Sequence, residues 1–217
     1  MKVKIVFNNE SNPGYKAGWG FAAVIESGKK VLFDTGDDGK SLLYNLEKAG
    51  YEPKDIGIVV LSHDHYDHTG GLAGFLEKNH DVEVYALETF SKKTLEGIEK
   101  KAKLIRVSAQ AKITEDVFTT GIIKGVMDEQ SLIIRSGSKV SVIVGCSHPG
   151  VDKILDAAKN LGKVHAIIGG FHGFDKIEEL QGIDIIGACH CTEKIKEIKD
   201  RYPAQFKELK AGDEIEV

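Results

Sequence analysis

A run of six residues without a polar side chain, Ile56 to Leu61, passes directly into Ser62-His63-Asp64-His65-Tyr66-Asp67-His68-Thr69-Gly70-Gly71. An unbroken apolar run of that length reads as a strand buried on both faces, the kind found inside parallel sheets covered by helices. The polar segment therefore lies where this strand leaves its sheet. Three of the eight histidines of the chain fall within six residues there. In an extended loop, residues two apart point the same way, so His63 and His65 converge on one metal ion. Asp67 and His68 follow once the chain turns, and are placed to face a second ion. Gly70 and Gly71 let backbone approach without a Cβ clash. Imidazole and carboxylate together suit zinc, with manganese or iron as alternatives.

The rest of the chain alternates short β-rich runs with helical patterns. Strands are expected over Val3–Phe7, Phe21–Glu26, Val31–Asp34, Val82–Ala86, Leu104–Val107, Phe118–Val126, Leu132–Arg135, Val140–Gly145, Val164–Ile168, Ile183–Ile186 and Glu214–Val217. Helices are expected over Ser41–Ala49, closed by Gly50, then Gly70–Lys78, a short stretch ending near Lys101, and one after Pro149. A short helix over Lys176–Leu180 and a final one capped by Thr192 complete the set. Hairpins dominate the first half, and strand–helix alternation the second. No linker or repeat divides the 217 residues, so a single α/β domain is expected over 1–217. Helices enough to cover two sheets favour four layers over one doubly wound sheet.

Hydrophobic residues make up 41% of the chain and the formal charge is −4, a folded composition without a broad basic surface. Nucleic acid and membranes are not expected partners; a small-molecule substrate is. No apolar run reaches membrane-span length, and no leader pattern opens the chain. Three cysteines, with Cys189 and Cys191 one residue apart, do not make a disulfide scaffold, and a cytoplasmic location fits them. Oligomeric state is left open.

The segment SHDHYDHTGG resembles the signature of the metallo-β-lactamase fold superfamily, and the likeness extends across nearly the whole chain. Val31-Leu32-Phe33-Asp34-Thr35-Gly36 is similar to the early strand-end aspartate that braces the metal loop in that superfamily. Four further motifs, Asp128-Glu129-Gln130-Ser131-Leu132, Gly145-Cys146-Ser147-His148-Pro149-Gly150, Gly169-Gly170-Phe171-His172 and Cys189-His190-Cys191-Thr192, resemble a metal-dependent hydrolase branch. That branch includes relatives of the dihydropterin–ribofuranosylaminobenzene phosphate synthase. The resemblance implies a four-layer αββα sandwich with one or two divalent ions, a dinuclear metal site at most, held at one edge of the sheets. It implies His63 and His65 for one ion, Asp67 and His68 for the other, and His190 as the last histidine ligand. His148, after an apolar strand, completes the first site. The usual Pro-Gly-His turn and later Gly-Asp are missing; Cys146 stands near the position of that aspartate, and Asp128 near the other.

The expected activity is hydrolysis of an ester, thioester, lactone or phosphoester by a metal-activated water. Asp67 orients that water or moves its proton, and His172 donates to the developing oxyanion. An alternative on the same ligands is a transferase joining a dihydropterin to an aromatic phosphate with release of diphosphate. A third is a non-catalytic metal- or ligand-binding protein. Cys189 and Cys191 are expected to point away from the face of His190, as buried structural thiols. The residues of Glu88–Asp116 look like a shortened lid, and Trp19 and Phe21 belong either to the core or to the rim of the cleft.

Overall fold

Thirteen strands form a seven-stranded and a six-stranded sheet in the computed structural model, which describes residues 1–217. Each sheet belongs to one of two structural units, Met1–Ser108 with Lys210–Glu216, and Ala109–Leu209 with Val217. The fold class is mixed α/β, as expected.

The first unit begins with β1 (Lys2–Phe7), β2 (Ala22–Glu26) and β3 (Lys30–Phe33), an antiparallel meander. From β3 onward the sheet turns parallel, through β4 (Ile56–Val60), β5 (Glu83–Leu87) and β6 (Lys103–Val107). Hairpins thus account for only part of the first half. Parallel pairing needs crossovers, and these are helices. The first crossover is α1 (Gly39–Lys48), whose N-cap Asp38 accepts the Ser41 amide at 2.8 Å. It buries Leu42, Asn45 and Leu46, so one polar residue takes a place on the inner face. Asn45 wins that place because its amide bonds Val6 O at 2.9 Å and Lys16 O at 2.8 Å, tying the chain after β1. Gly50 ends the helix in the left-handed region at φ 85°.

The crossover after β4 is split into α2 (Tyr66–Thr69) and α3 (Leu72–Leu76), so helix starts four residues earlier than the pattern suggested. The glycines at this junction are required by close approach. A Cβ on Gly70 would lie 2.5 Å from Asp37 O, and one on Gly71 only 2.1 Å from Thr35 O. After β5, α4 (Lys92–Glu99) buries Leu95 and Ile98 and leaves its lysines in solvent. The unit is completed from the far end of the chain, where β13 (Glu214–Glu216) pairs antiparallel with β1.

The second unit opens with β7 (Ala109–Lys112), β8 (Val117–Gly121), β9 (Leu132–Ser136) and β10 (Lys139–Val144), all antiparallel. β7 was not anticipated because Ala-Gln-Ala-Lys is exposed throughout and has no apolar alternation. β8 stops at Gly121, five residues short of the expected end, since Gly121 turns at φ 70° against Ala109. From β10 the pairing is parallel to β11 (Lys163–Gly170) and then β12 (Ile185–Cys189). The connection between β10 and β11 is α5 (Val151–Lys159), the helix expected after Pro149, which buries Val151, Ile154, Leu155 and Ala158 on one face. These pack with Val140, Val142 and Val144 of β10, and with Ile198 of α6 (Ile195–Arg201), in one apolar core. Thr192 does not cap α6. Its hydroxyl instead donates to Cys189 O at 2.7 Å and accepts the Phe171 amide at 2.9 Å, closing the turn after β12.

Candidate metal centre

One buried carboxylate organises the histidines of the first unit. Asp34 follows β3 in the left-handed region at φ 57° and is fully buried. Its Oδ1 accepts the Ser62 amide, and its Oδ2 accepts both the Ser62 hydroxyl and His68 Nδ1, all at 2.7 Å. The single hydroxyl proton of Ser62 is committed to Asp34. In the 2.8 Å contact between Ser62 Oγ and His63 Nδ1, the imidazole must therefore be the donor. His63 and His68 are both held as Nδ1–H tautomers, which makes Nε2 the ring atom that could ligate a metal.

The donor atoms then gather. His63 Nε2 lies 3.1 Å from His65 Nδ1, the His63 and His68 ring centroids are 4.2 Å apart, and Asp67 Oδ2 is 3.6 Å from His68 Nε2. Two nitrogens bound to one tetrahedral zinc ion stand about 3.3 Å apart, from Zn–N bonds of about 2.05 Å. His63 with His65, and Asp67 with His68, are thus two donor pairs of a chemistry that suits a divalent ion of the zinc, manganese or iron type. The one-turn helix α2 carries Asp67 and His68, and Thr35 fixes its path by donating to His68 O from both amide (2.9 Å) and hydroxyl (2.8 Å). Asp64 is turned to another task. It accepts the Ser91 amide at 2.8 Å and the Thr94 hydroxyl at 2.7 Å, anchoring the start of α4.

The second unit repeats this logic with Glu129, also fully enclosed. Glu129 Oε1 accepts the amides of Gly145, Cys146 and Ser147 at 3.1, 3.0 and 2.9 Å. Its Oε2 accepts the amide and Nδ1 of His148, both at 3.0 Å. His148 is thereby oriented through Nδ1, as the histidines of the first unit are. Cys146 Sγ lies within 4.8 Å of a ring nitrogen of His148 and of one of His190. The His172 ring, half exposed, is centred 5.1 Å from that of His148.

Glu129 is the residue that sequence reasoning missed. The motif Asp128-Glu129-Gln130 was noticed, but the first acid was taken as the candidate. Asp128 in fact pairs with Lys124 at 2.6 Å and is not drawn toward His148. A second correction concerns Cys191. Strict alternation about His190 assumes extended backbone, but His190 sits at φ 50°, so the rule fails there. Cys191 Sγ instead comes within 4.0 Å of Cys146 O, over Gly170, where a Cβ would meet that sulfur at 2.6 Å. Trp19 is 51% exposed and Phe21 is fully buried, which resolves the choice between rim and core differently for each. His80 contacts Lys101 O, and His165 contacts Asp184 and Lys139, all away from the candidate site.

The candidate histidines and Asp34 lie just beyond the carboxyl ends of parallel strands. Asp34 and His63 follow β3 and β4, while His148, His172 and His190 follow β10, β11 and β12. That is where α/β sheets bind ligands. The four non-glycine residues with positive φ, Asp34, Ser147, His172 and His190, all lie in these same loops. Such strain clusters at functional sites.

Two sheets with helices, and loops that carry histidine-rich groups of potential metal donors, define an α/β protein with a potential metal-binding cluster. A family model for the metallo-beta-lactamase superfamily matches residues 20–152, more than half of the chain, and the chain belongs to that superfamily. It is 26% identical to the 7,8-dihydropterin-6-methyl-4-(beta-D-ribofuranosyl)-aminobenzene-5'-phosphate synthase of Methanocaldococcus jannaschii, across 97% of this chain and 95% of that one. The alignment runs over 279 positions, more than the 217 residues here, so that relative carries insertions this chain lacks. Among solved structures, Tm1679, a metal-dependent hydrolase of the beta-lactamase superfamily, superposes with a TM-score of 0.82 at 26% identity, covering 100% of this chain and 99% of that one. YhfI of Bacillus subtilis shares the fold at a TM-score of 0.73 and 15% identity, with 99% of each chain covered. No helix is long and apolar enough to cross a membrane.

Proposed function

We propose that the chain is a metal-dependent hydrolase of esters, thioesters, lactones or phosphoesters. Its metal ligands are His63, His65, Asp67 and His68 of the first unit and Cys146, His148 and His190 of the second, serving one or two ions, zinc first among them. The observation that carries this reading is the shared buried carboxylate of Asp34, which sets the tautomer of two ligand histidines at once. A fold has little reason to bury a charge and orient two imidazoles except to present their lone pairs.

A divalent ion held there supplies Lewis acidity, polarising the substrate oxygen and acidifying water near neutral pH. The chain supplies the rest. His63 and His68 keep their Nδ1 protons on Ser62 and Asp34, so neither ring rotates during a turnover. Asp67, with its Oδ2 toward His68, accepts the proton of the attacking water. His172, half exposed beside His148, donates its N–H to the oxygen that gains charge.

A second reading is favoured by one observation, the alignment with the synthase across nearly the whole of both chains. On it, the same residues serve a transferase that joins a dihydropterin to an aromatic phosphate and releases diphosphate. Elemental analysis of the untagged protein, with His63→Ala and His65→Ala beside it, tests the common core. Wild type should hold one or two ions per chain and both variants should lose most of them; full retention by both would remove the reading. Water as sole acceptor in a screen of the four substrate types supports the hydrolase, and diphosphate release from two organic substrates supports the transferase.

A further inference from the structure

We propose that Asp64 is a positioning residue of this centre, which sets how closely the rings of His63 and His65 approach by tying the segment between them to α4. The proposal rests on the reading of His63 and His65 as metal ligands.

The segment has a separate anchor on each side of Asp64. Before it, the amide and hydroxyl of Ser62 are bound to Asp34, and the same hydroxyl oxygen accepts His63 Nδ1–H at 2.8 Å. After it, the carbonyl of His65 accepts the amides of His68 and Thr69, both at 3.1 Å, and the Thr69 hydroxyl at 3.0 Å, which makes His65 part of the α2 turn. Asp64 is the joint between the two. Alternation turns both rings to one side, but the two soft dihedrals of the residue between them decide their separation. The ring nitrogens stand 3.1 Å apart, near the spacing that one zinc ion imposes on two nitrogens.

The side chain of Asp64 takes no part in that approach, because α4 occupies both its oxygens. Oδ2 accepts the Ser91 amide at 2.8 Å, and Oδ1 accepts the Thr94 hydroxyl at 2.7 Å. With the Thr94 proton given to the carboxylate, the 2.9 Å contact between the two hydroxyls must be donated by Ser91. Ser91 Oγ in turn accepts the Thr94 amide at 3.2 Å, as the N-cap of α4. Each donor in this clasp has its own acceptor. The helix that closes it is itself fixed, since Leu95 and Ile98 are buried in the first unit. A carboxylate held at both oxygens by a packed helix leaves its own backbone little freedom to turn.

Competitive zinc titration against a chromogenic chelator tests this on wild type, Asp64→Ala, Asp64→Asn and Thr94→Val. Asp64→Ala should weaken zinc binding by about 3- to 10-fold, less than the loss of a group bonded directly to a ligand ring, because Asp64 acts through the backbone. Asp64→Asn should keep nearly the wild-type affinity. Its amide oxygen accepts from Ser91 and its N–H donates to Thr94 Oγ1, so the clasp survives while the charge is gone. Thr94→Val should weaken binding by about 2- to 5-fold and add nothing to Asp64→Ala when the two are combined. In imidazole nitrogen NMR spectra of the zinc-loaded protein, Asp64→Ala should shift the His65 resonances and leave those of His63, which Ser62 holds, in place. Unchanged affinity in Asp64→Ala, an Asp64→Asn protein as weak as Asp64→Ala, or additive losses from Asp64 and Thr94 would overturn the proposal. Zinc bound by wild type without this pattern sinks the present inference alone, whereas no zinc bound by wild type removes the reading of His63 and His65 beneath it.

Discussion

Asp34 Oδ2 and His68 Nδ1 lie 2.7 Å apart with both side chains fully buried, although 34 positions separate them in sequence. Because the same oxygen also takes the hydroxyl proton of Ser62, which in turn accepts from His63, a single carboxylate governs two rings. The end of β3 therefore controls the chemistry at the end of β4.

Asp34→Asn should lower metal affinity by about 10- to 100-fold, the usual effect of losing a partner that orients a ligand histidine. An amide offers one acceptor oxygen where three donors now converge, and its own N–H group would confront one of them. Competitive titration with a chromogenic chelator measures the affinity. An unchanged value would show that His63 and His68 are held by packing alone.

Glu129→Ala should destabilise the second unit by at least about 3 kcal/mol, since four backbone amides and one imidazole N–H lose a buried acceptor. Denaturant unfolding gives the loss. Hydrogen exchange should locate it, with protection falling first at Gly145 to His148. A loss under about 1 kcal/mol would mean that water takes over the role of the carboxylate.

Asp38 caps α1, and the hydroxyl and amide of Ser41 hold its carboxyl below the ordinary carboxylate range. A depressed folded pKa contributes stability that is complete above the unfolded value, near 3.9, and is lost as the pH falls through the folded one. Asp38→Ala should cost about 1 kcal/mol at neutral pH, steady down to about pH 5. The gap to wild type should narrow only below that, in urea melts taken at successive pH values. A gap that widened on acidification would have the wrong sign for a cap of this kind.

Local rules were enough for the elements whose own residues decide them. The run from Ile56 to Leu61 is a parallel strand, and Val151, Ile154, Leu155 and Ala158 line one helix face as their spacing requires. His63 and His65 converge because residues two apart in an extended loop must. What stayed illegible depends on partners distant in sequence. Glu129 looks no different from its neighbour Asp128 until the loop from Gly145 to His148 folds over it. β7 has no pattern of its own and exists because β8 offers it hydrogen bonds. The alternation about His190 fails because of one backbone angle that composition does not reveal in a non-glycine residue.

The pairing of β13 with β1 has a consequence for biosynthesis. Lys2 is opposite Glu216, so an edge strand of the first sheet is supplied by residues made long after β1. Until then β1 is an unprotected edge, and the whole second unit has been made in the meantime. Contacts of such long sequence separation form late and slowly. The nascent chain must keep that edge from pairing with other chains, and the charges of Lys2 and Lys4 on an otherwise apolar strand are suited to the task.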